Sequence, residues 1–127
     1  MNQQVAPLPR DVSIAVIGAG TMGSGIALVA ATAGHPVLLY DATPGAAAAG
    51  CKRQRADLER LVARGRLTAE ECNDRMSWMQ PVDSLAALAS AGLVIEAIIE
   101  NLDIKVDVLR QVEEMTSPQT ILATNTS

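Results

Sequence analysis

Short, unbroken apolar runs recur along the chain: Ile14-Ala15-Val16-Ile17, Val37-Leu38-Leu39-Tyr40, Leu93-Val94-Ile95-Glu96-Ala97 and Thr120-Ile121-Leu122-Ala123. Runs of four or five residues with little polar alternation read as strands buried on both faces. The first strand is expected over residues 12–17. The stretches between runs are longer and carry helical spacing. Residues 21–34 predict a helix whose Met22, Ile26, Val29 and Ala33 face the sheet and which Gly34 ends. His35-Pro36 then makes a turn. Thr43-Pro44 reads as an N-cap followed by proline at the first helical position, so a helix is expected from residue 44 to Arg64, stopped by Gly65. Thr68-Ala69-Glu70-Glu71 is a capping box that starts another helix, reaching Met76. These two form a helical hairpin. Met79-Gln80-Pro81-Val82 predicts a short strand that Pro81 confines to an edge or a strand end. A short helix is expected over 84–90. Asn101 is placed to cap a helix over 102–116, which Ser117-Pro118 ends.

Strands alternating with helices specify an α/β fold, a doubly wound parallel sheet of order 3-2-1-4-5 with the hairpin inserted after the second strand. Residues 1–11 are expected to be a flexible N-terminus and 12–127 a single domain. The loops 18–25, 41–43, 97–101 and 124–127 all follow strands. In such a sheet the carboxyl ends of the strands form the ligand edge.

The first of these loops carries the pattern G-x-G-x-x-G: Gly18-Ala19-Gly20-Thr21-Met22-Gly23. Gly18 permits a tight turn out of the strand. Gly20, lacking Cβ, lets a pyrophosphate approach the backbone, and Gly23 lets the helix lie close on the strand. The helix start offers unpaired N–H groups and a positive dipole end. The pattern alone is weak, but a strand precedes it, a helix follows, and the second strand ends in Asp41. That carboxylate is spaced to hold an adenosine ribose. A Rossmann-type NAD site follows, with NAD favoured over NADP because Ala42, Thr43 and Pro44 supply no arginine for a 2′-phosphate.

Composition narrows the picture. With 49% hydrophobic residues in 127, the chain has enough apolar surface for one core. Trp78 and Tyr40 are its only aromatic residues and the net charge is −4, which argues against nucleic-acid binding. No stretch reads as a signal peptide or membrane span. Cys51 and Cys72 form no C-x-x-C, so a reduced, cytoplasmic setting is expected and no metal site. Seven of the ten Lys and Arg lie between Lys52 and Arg75, giving that segment a net +2. It reads either as a solvated helix face or as a landing surface for an anionic ligand tail. His35, the single histidine, falls in a turn at the edge opposite the ligand loops.

Val16 to Ala27, Asp41, Val94-Ile95-Glu96-Ala97-Ile98-Ile99-Glu100-Asn101 with Lys105, and Ala123-Thr124-Asn125-Thr126-Ser127 together resemble the NAD-binding domain of 3-hydroxyacyl-CoA dehydrogenases, over about residues 12–127. The resemblance implies oxidation of 3-hydroxyacyl-CoA to 3-oxoacyl-CoA, as in fatty acid β-oxidation. By position it implies that Gly18, Ala19, Gly20, Thr21, Met22 and Gly23 hold the pyrophosphate and Asp41 the ribose. Ile99, Glu100 and Lys105 line the nicotinamide-ribose side. Ser127 contacts the 3-oxygen of the substrate. Asp57 and Arg64 lie where the family's hairpin touches CoA. The family's acid–base His, its activating Glu and the helical domain that closes the site and forms the homodimer fall beyond the N-T-S segment. These 127 residues alone are therefore expected to be inactive and to expose a sheet edge open to self-association. A non-catalytic NAD-binding module and another β-hydroxy-acid dehydrogenase stay open as alternatives.

Overall fold

The computed structural model describes Pro9, residues 11–98 and residues 102–124. Five strands form one parallel sheet: β1 (Ile14–Ile17), β2 (Val37–Tyr40), β3 (Met79–Val82), β4 (Leu93–Glu96) and β5 (Ile121–Thr124), in the order β3-β2-β1-β4-β5. This is the expected order. β1 is central, and all four of its residues are buried. Its register aligns Ile17 with Tyr40 on one side and Glu96 on the other, so three strands end level at the ligand edge. Pro81 sits in β3, an edge strand, where its missing N–H breaks no ladder.

The strand period of two divides the core. Ile14 and Val16 face α1 (Thr21–Thr32), α2 (Ala46–Ala63) and α3 (Ala69–Ser77), packing with Leu39, Leu58 and Met76. Ala15 and Ile17 face the other way, toward α4 (Leu102–Met115), packing with Leu88, Val94, Val108 and Val112.

Both glycine stops hold. Gly34 and Gly65 adopt φ of 91° and 72°. Each closes a paired hydrogen-bond cap, with His35 N–H donating to Ala30 O and Arg66 N–H to Leu61 O. The Thr68 capping box forms reciprocally, Glu71 N–H to Thr68 Oγ1 and Thr68 N–H to Glu71 Oε1, both at 3.0 Å.

The sheet-facing side of α1 differs from expectation. Met22 is 45% and Val29 71% exposed, Ala33 is exposed, and Ile26 is only half-buried. The buried side is Gly23, Ser24, Ala27, Ala30 and Ala31. The cause is distance: a Cβ on Gly23 would lie 1.6 Å from Gly18 O. A helix lying that close to its strand accepts only small side chains on the contact side, so the larger apolar residues turn outward.

α2 also begins later than expected. Thr43 is not its N-cap. Ala46 N–H donates to Thr43 O across a turn with Pro44 and Gly45 at its centre, and Gly45 has φ 81°, ψ −11°. That is a type II turn, in which proline first and glycine second are favoured. Over 84–90 the chain makes a 3-10 turn, Leu85–Leu88. The expected Asn101 cap and the N-terminal segment, except Pro9 and Asp11, lie outside the described residues.

Candidate cofactor site

The glycine turn is held from several directions. Gly18, at φ 106°, leaves β1 with its N–H donating to Tyr40 O at 2.8 Å; a Cβ there would lie 2.9 Å from Ala97 O. Gly20 differs. Its φ of −67° suits any residue, and a Cβ built on it meets nothing within 4 Å. Its bareness therefore serves something other than the fold, namely open space beside the backbone. Gly20 is also the N-cap of α1, with no side-chain cap and no acid in the first turn. The first turn of the helix thus carries no acidic side chain of its own, which suits its positive end to a phosphate.

Asp41 stands at the end of β2, directly beside this turn. Its Oδ2 accepts from Ala19 N–H at 2.7 Å and its Oδ1 from Thr43 N–H at 2.8 Å. A carboxylate has about four acceptor positions. Two orient this one, and the rest suit ribose hydroxyls on its half-exposed side. The turn, the bare helix end and the oriented carboxylate fit a dinucleotide. Gly18 to Gly23 with Asp41 would hold NAD, whose nicotinamide supplies a hydride acceptor.

Behind the turn lies a polar support that sequence reasoning missed. Ser24 is fully buried; its hydroxyl donates to Gly20 O at 2.9 Å and accepts from Gln54 Nε2 at 3.2 Å. Arg53 Nη2 donates to Ala19 O at 2.7 Å and reaches Ser24 Oγ at 3.4 Å. A Cβ on Gly50 would lie 3.0 Å from Ala19 O, so α2 rests almost on the turn. An arginine in a basic run looks like a solvated charge, and its partner here is a backbone carbonyl, which no spacing reveals.

At the other half of the ligand edge, Glu96 is fully buried at the end of β4. It accepts from Ile98 N–H and, at 2.6 Å, from Thr124 Oγ1, and faces Lys105 Nζ at 3.8 Å. Lys105 is only 7% exposed, so it is no helix-surface charge. Ile99, Glu100 and Ser127 lie outside the described residues.

Asp57 and Arg64 are both exposed on α2. Asp57 pairs with Arg60 and helps line a groove of about 240 Å³ with Thr21, Arg53, Gln54 and Arg60. Arg64, the C-cap of α2, is not in that lining. A larger groove, about 570 Å³, lies at the opposite edge between Asp11, Gly34, Asp74 and Trp78, away from the glycine turn. His35 is on that side too, its Nδ1 3.2 Å from Val12 O. Burial pushes the Cys51 thiol pKa up, and both cysteines are free.

The family described as 3-hydroxyacyl-CoA dehydrogenase, NAD binding domain, matches residues 13–127. The chain belongs to that family. It is 49% identical over 115 residues to 3-hydroxyadipyl-CoA dehydrogenase of Escherichia coli K12, covering 91% of this chain and 24% of the relative. It is 42% identical over 114 residues to a probable 3-hydroxybutyryl-CoA dehydrogenase of Bacillus subtilis, covering 90% and 40%. The crystal structure of 3-hydroxybutyryl-CoA dehydrogenase from E. coli K12 superposes with a TM-score of 0.86 at 48% identity, covering 92% of this chain and 25% of that one. The chain therefore spans well under half the length of these dehydrogenases. As an NAD-binding domain of the 3-hydroxyacyl-CoA dehydrogenase family, it carries the sheet order and glycine turn expected from its sequence. Among the described residues, no helix is long and apolar enough to cross a membrane.

Proposed function

We propose that this domain serves an NAD-dependent oxidation of an L-3-hydroxyacyl-CoA to the 3-oxoacyl-CoA, in a reducing, cytoplasmic setting and within a homodimer. The observation that carries the reading is the pinned carboxylate of Asp41 beside the bare Gly20 turn. It selects ribose hydroxyls over a 2′-phosphate, because the negative charge repels the latter and residues 42–44 offer no compensating cation. Gly18, Ala19, Gly20, Thr21, Met22 and Gly23 receive the pyrophosphate. Lys105, with Ile99 and Glu100, borders the nicotinamide ribose, and Glu96 holds the Lys105 ammonium at the end of β4. Ser127 contacts the substrate's 3-oxygen. Asp57 and Arg64 meet the CoA portion, whose phosphates the basic hairpin attracts through a screened, salt-dependent field. The hydroxyl proton needs an acceptor at the ligand edge. His35, the only imidazole here, stands at the other edge, so these 127 residues are expected to bind NAD at best weakly and to leave the 3-hydroxyl of the thioester unoxidised.

Calorimetric titration with NAD and NADP tests the cofactor assignment. NAD is expected to bind more tightly, and Asp41→Ala to weaken NAD and narrow the preference. Tighter NADP binding by the unaltered chain would sink the Asp41 reading.

A further inference from the structure

We infer that Arg53 is a positioning residue for the cofactor's pyrophosphate, acting through the Ala19–Gly20 peptide rather than by touching the ligand. The inference rests on the NAD reading of the glycine turn.

Two consecutive peptide planes in that turn are fixed by side chains of opposite charge. Asp41 accepts the Ala19 N–H and so sets the Gly18–Ala19 plane. Arg53 donates to the Ala19 carbonyl at 2.7 Å and so sets the Ala19–Gly20 plane. That peptide is trans, as are all the described ones. In a trans peptide the carbonyl and the N–H point in opposite directions. Holding Ala19 O toward α2 therefore directs the Gly20 N–H away from α2. Gly20 is the residue at which the backbone must approach a pyrophosphate. A hydrogen bond from a guanidinium is short and strong, which suits it to restraining one rotatable plane.

The neighbours of Arg53 serve the same end. Gly50 lies one helical turn earlier on α2, and its missing side chain lets the helix come within reach of Ala19 O. Ser24, fully buried, takes hydrogen bonds from Arg53 and Gln54 and passes one to Gly20 O. The carbonyl of the critical peptide, Ala19 O, and that of the next peptide, Gly20 O, are thus both held by this cluster.

The test compares the chain with Arg53→Met, which removes charge and donors at similar length, and Arg53→Lys, which keeps the charge and a donor without the planar fork. Removing the hydrogen bond to Ala19 O lowers stability somewhat, so thermal melts without ligand are recorded first and affinities are compared at a temperature where every variant is fully folded. Arg53→Met is expected to bind NAD and ADP-ribose about tenfold more weakly. The loss should persist between about 0.05 and about 0.5 M salt, because a short-range geometric effect is not screened. Adenosine, which has no pyrophosphate, should bind as before, and Arg53→Lys should recover part of the loss. Equal NAD affinity in Arg53→Met overturns the role of Arg53 while leaving the site intact. So does a loss that high salt abolishes, which marks long-range attraction, or an equal loss for adenosine, which marks a general structural defect. If the unaltered chain takes up no NAD, the reading of the site fails first and the positioning role with it.

Discussion

Gly20 and Gly23 belong to the same sequence pattern, yet the structure gives them different reasons for being glycine. At Gly23 the constraint is internal, because a methyl group would collide with Gly18 O. Gly23→Ala must push α1 off β1, and overpacking of this kind costs about 1–3 kcal/mol or more. At Gly20 the protein itself imposes no such limit. Gly20→Val should therefore melt near the parent while losing NAD, whereas Gly23→Ala should lower the melting temperature whether or not NAD is present. Paired thermal melts and calorimetry separate the two, and retained NAD affinity in Gly20→Val would contradict the loop assignment. The sequence pattern shows that both positions matter but not which one serves the fold, since that depends on what lies opposite each missing side chain. Arg53 illustrates the complementary gap. Its charge is visible in the chain, but its target is a main-chain carbonyl reached only after α2 has folded back over the turn.

Among the elements, the strands were the most legible. Their apolar runs are uninterrupted, and glycine or proline punctuates nearly every connection. The helices were legible as helices but less so in orientation. Periodicity tracks large apolar residues, whereas the inward side of α1 is chosen by the closeness of Gly18 and Gly23. The start of α2 was misread because Thr43-Pro44 suits a helix N-terminus and a type II turn equally well, and Gly45 decides for the turn. The capping box of α3 could be read directly, since its two hydrogen bonds join residues three apart. It also sets a pH dependence. The backbone and side chain of Thr68 hydrogen-bond to the Glu71 carboxylate and hold its pKa below the ordinary glutamate value. A carboxylate depressed in the folded state stabilises it above the unfolded pKa, and that contribution disappears as pH falls through the folded value. Thr68→Ala should cost about 1 kcal/mol of stability and move the Glu71 titration only part of the way back toward the ordinary glutamate range, because the residue 68 backbone N–H that lowers it most is kept, as followed by NMR of its side-chain carboxyl. An unmoved Glu71 titration would show that the box does not set its acidity.

At the scale of the whole molecule, Glu96 joins three elements at the ligand edge: its own strand, the first turn of α4 through Lys105, and the end of β5 through Thr124. The lone acid in the run Leu93–Ala97 was visible in the sequence, but the partners that keep it buried were not. Removing one member of a buried ion pair costs about 3–5 kcal/mol, while replacing both by apolar residues is often close to neutral. Glu96→Ala should therefore destabilise the fold strongly in urea unfolding, and Glu96→Leu with Lys105→Met should recover much of the loss. A mild Glu96→Ala phenotype would mean that the pair does not bind these elements together. The edge opposite this pair offers something of practical use. Trp78, the only tryptophan, caps α3 there and passes its carbonyl to Val37 N–H at the start of β2. Four-residue strands, roughly 13 Å long, separate it from the glycine turn. NAD held at the glycine turn would lie at the other end of the strands from the indole, so tryptophan emission is expected to report folding rather than cofactor contact. Unfolding curves recorded with and without NAD can then be subtracted directly to give the linkage free energy of cofactor binding.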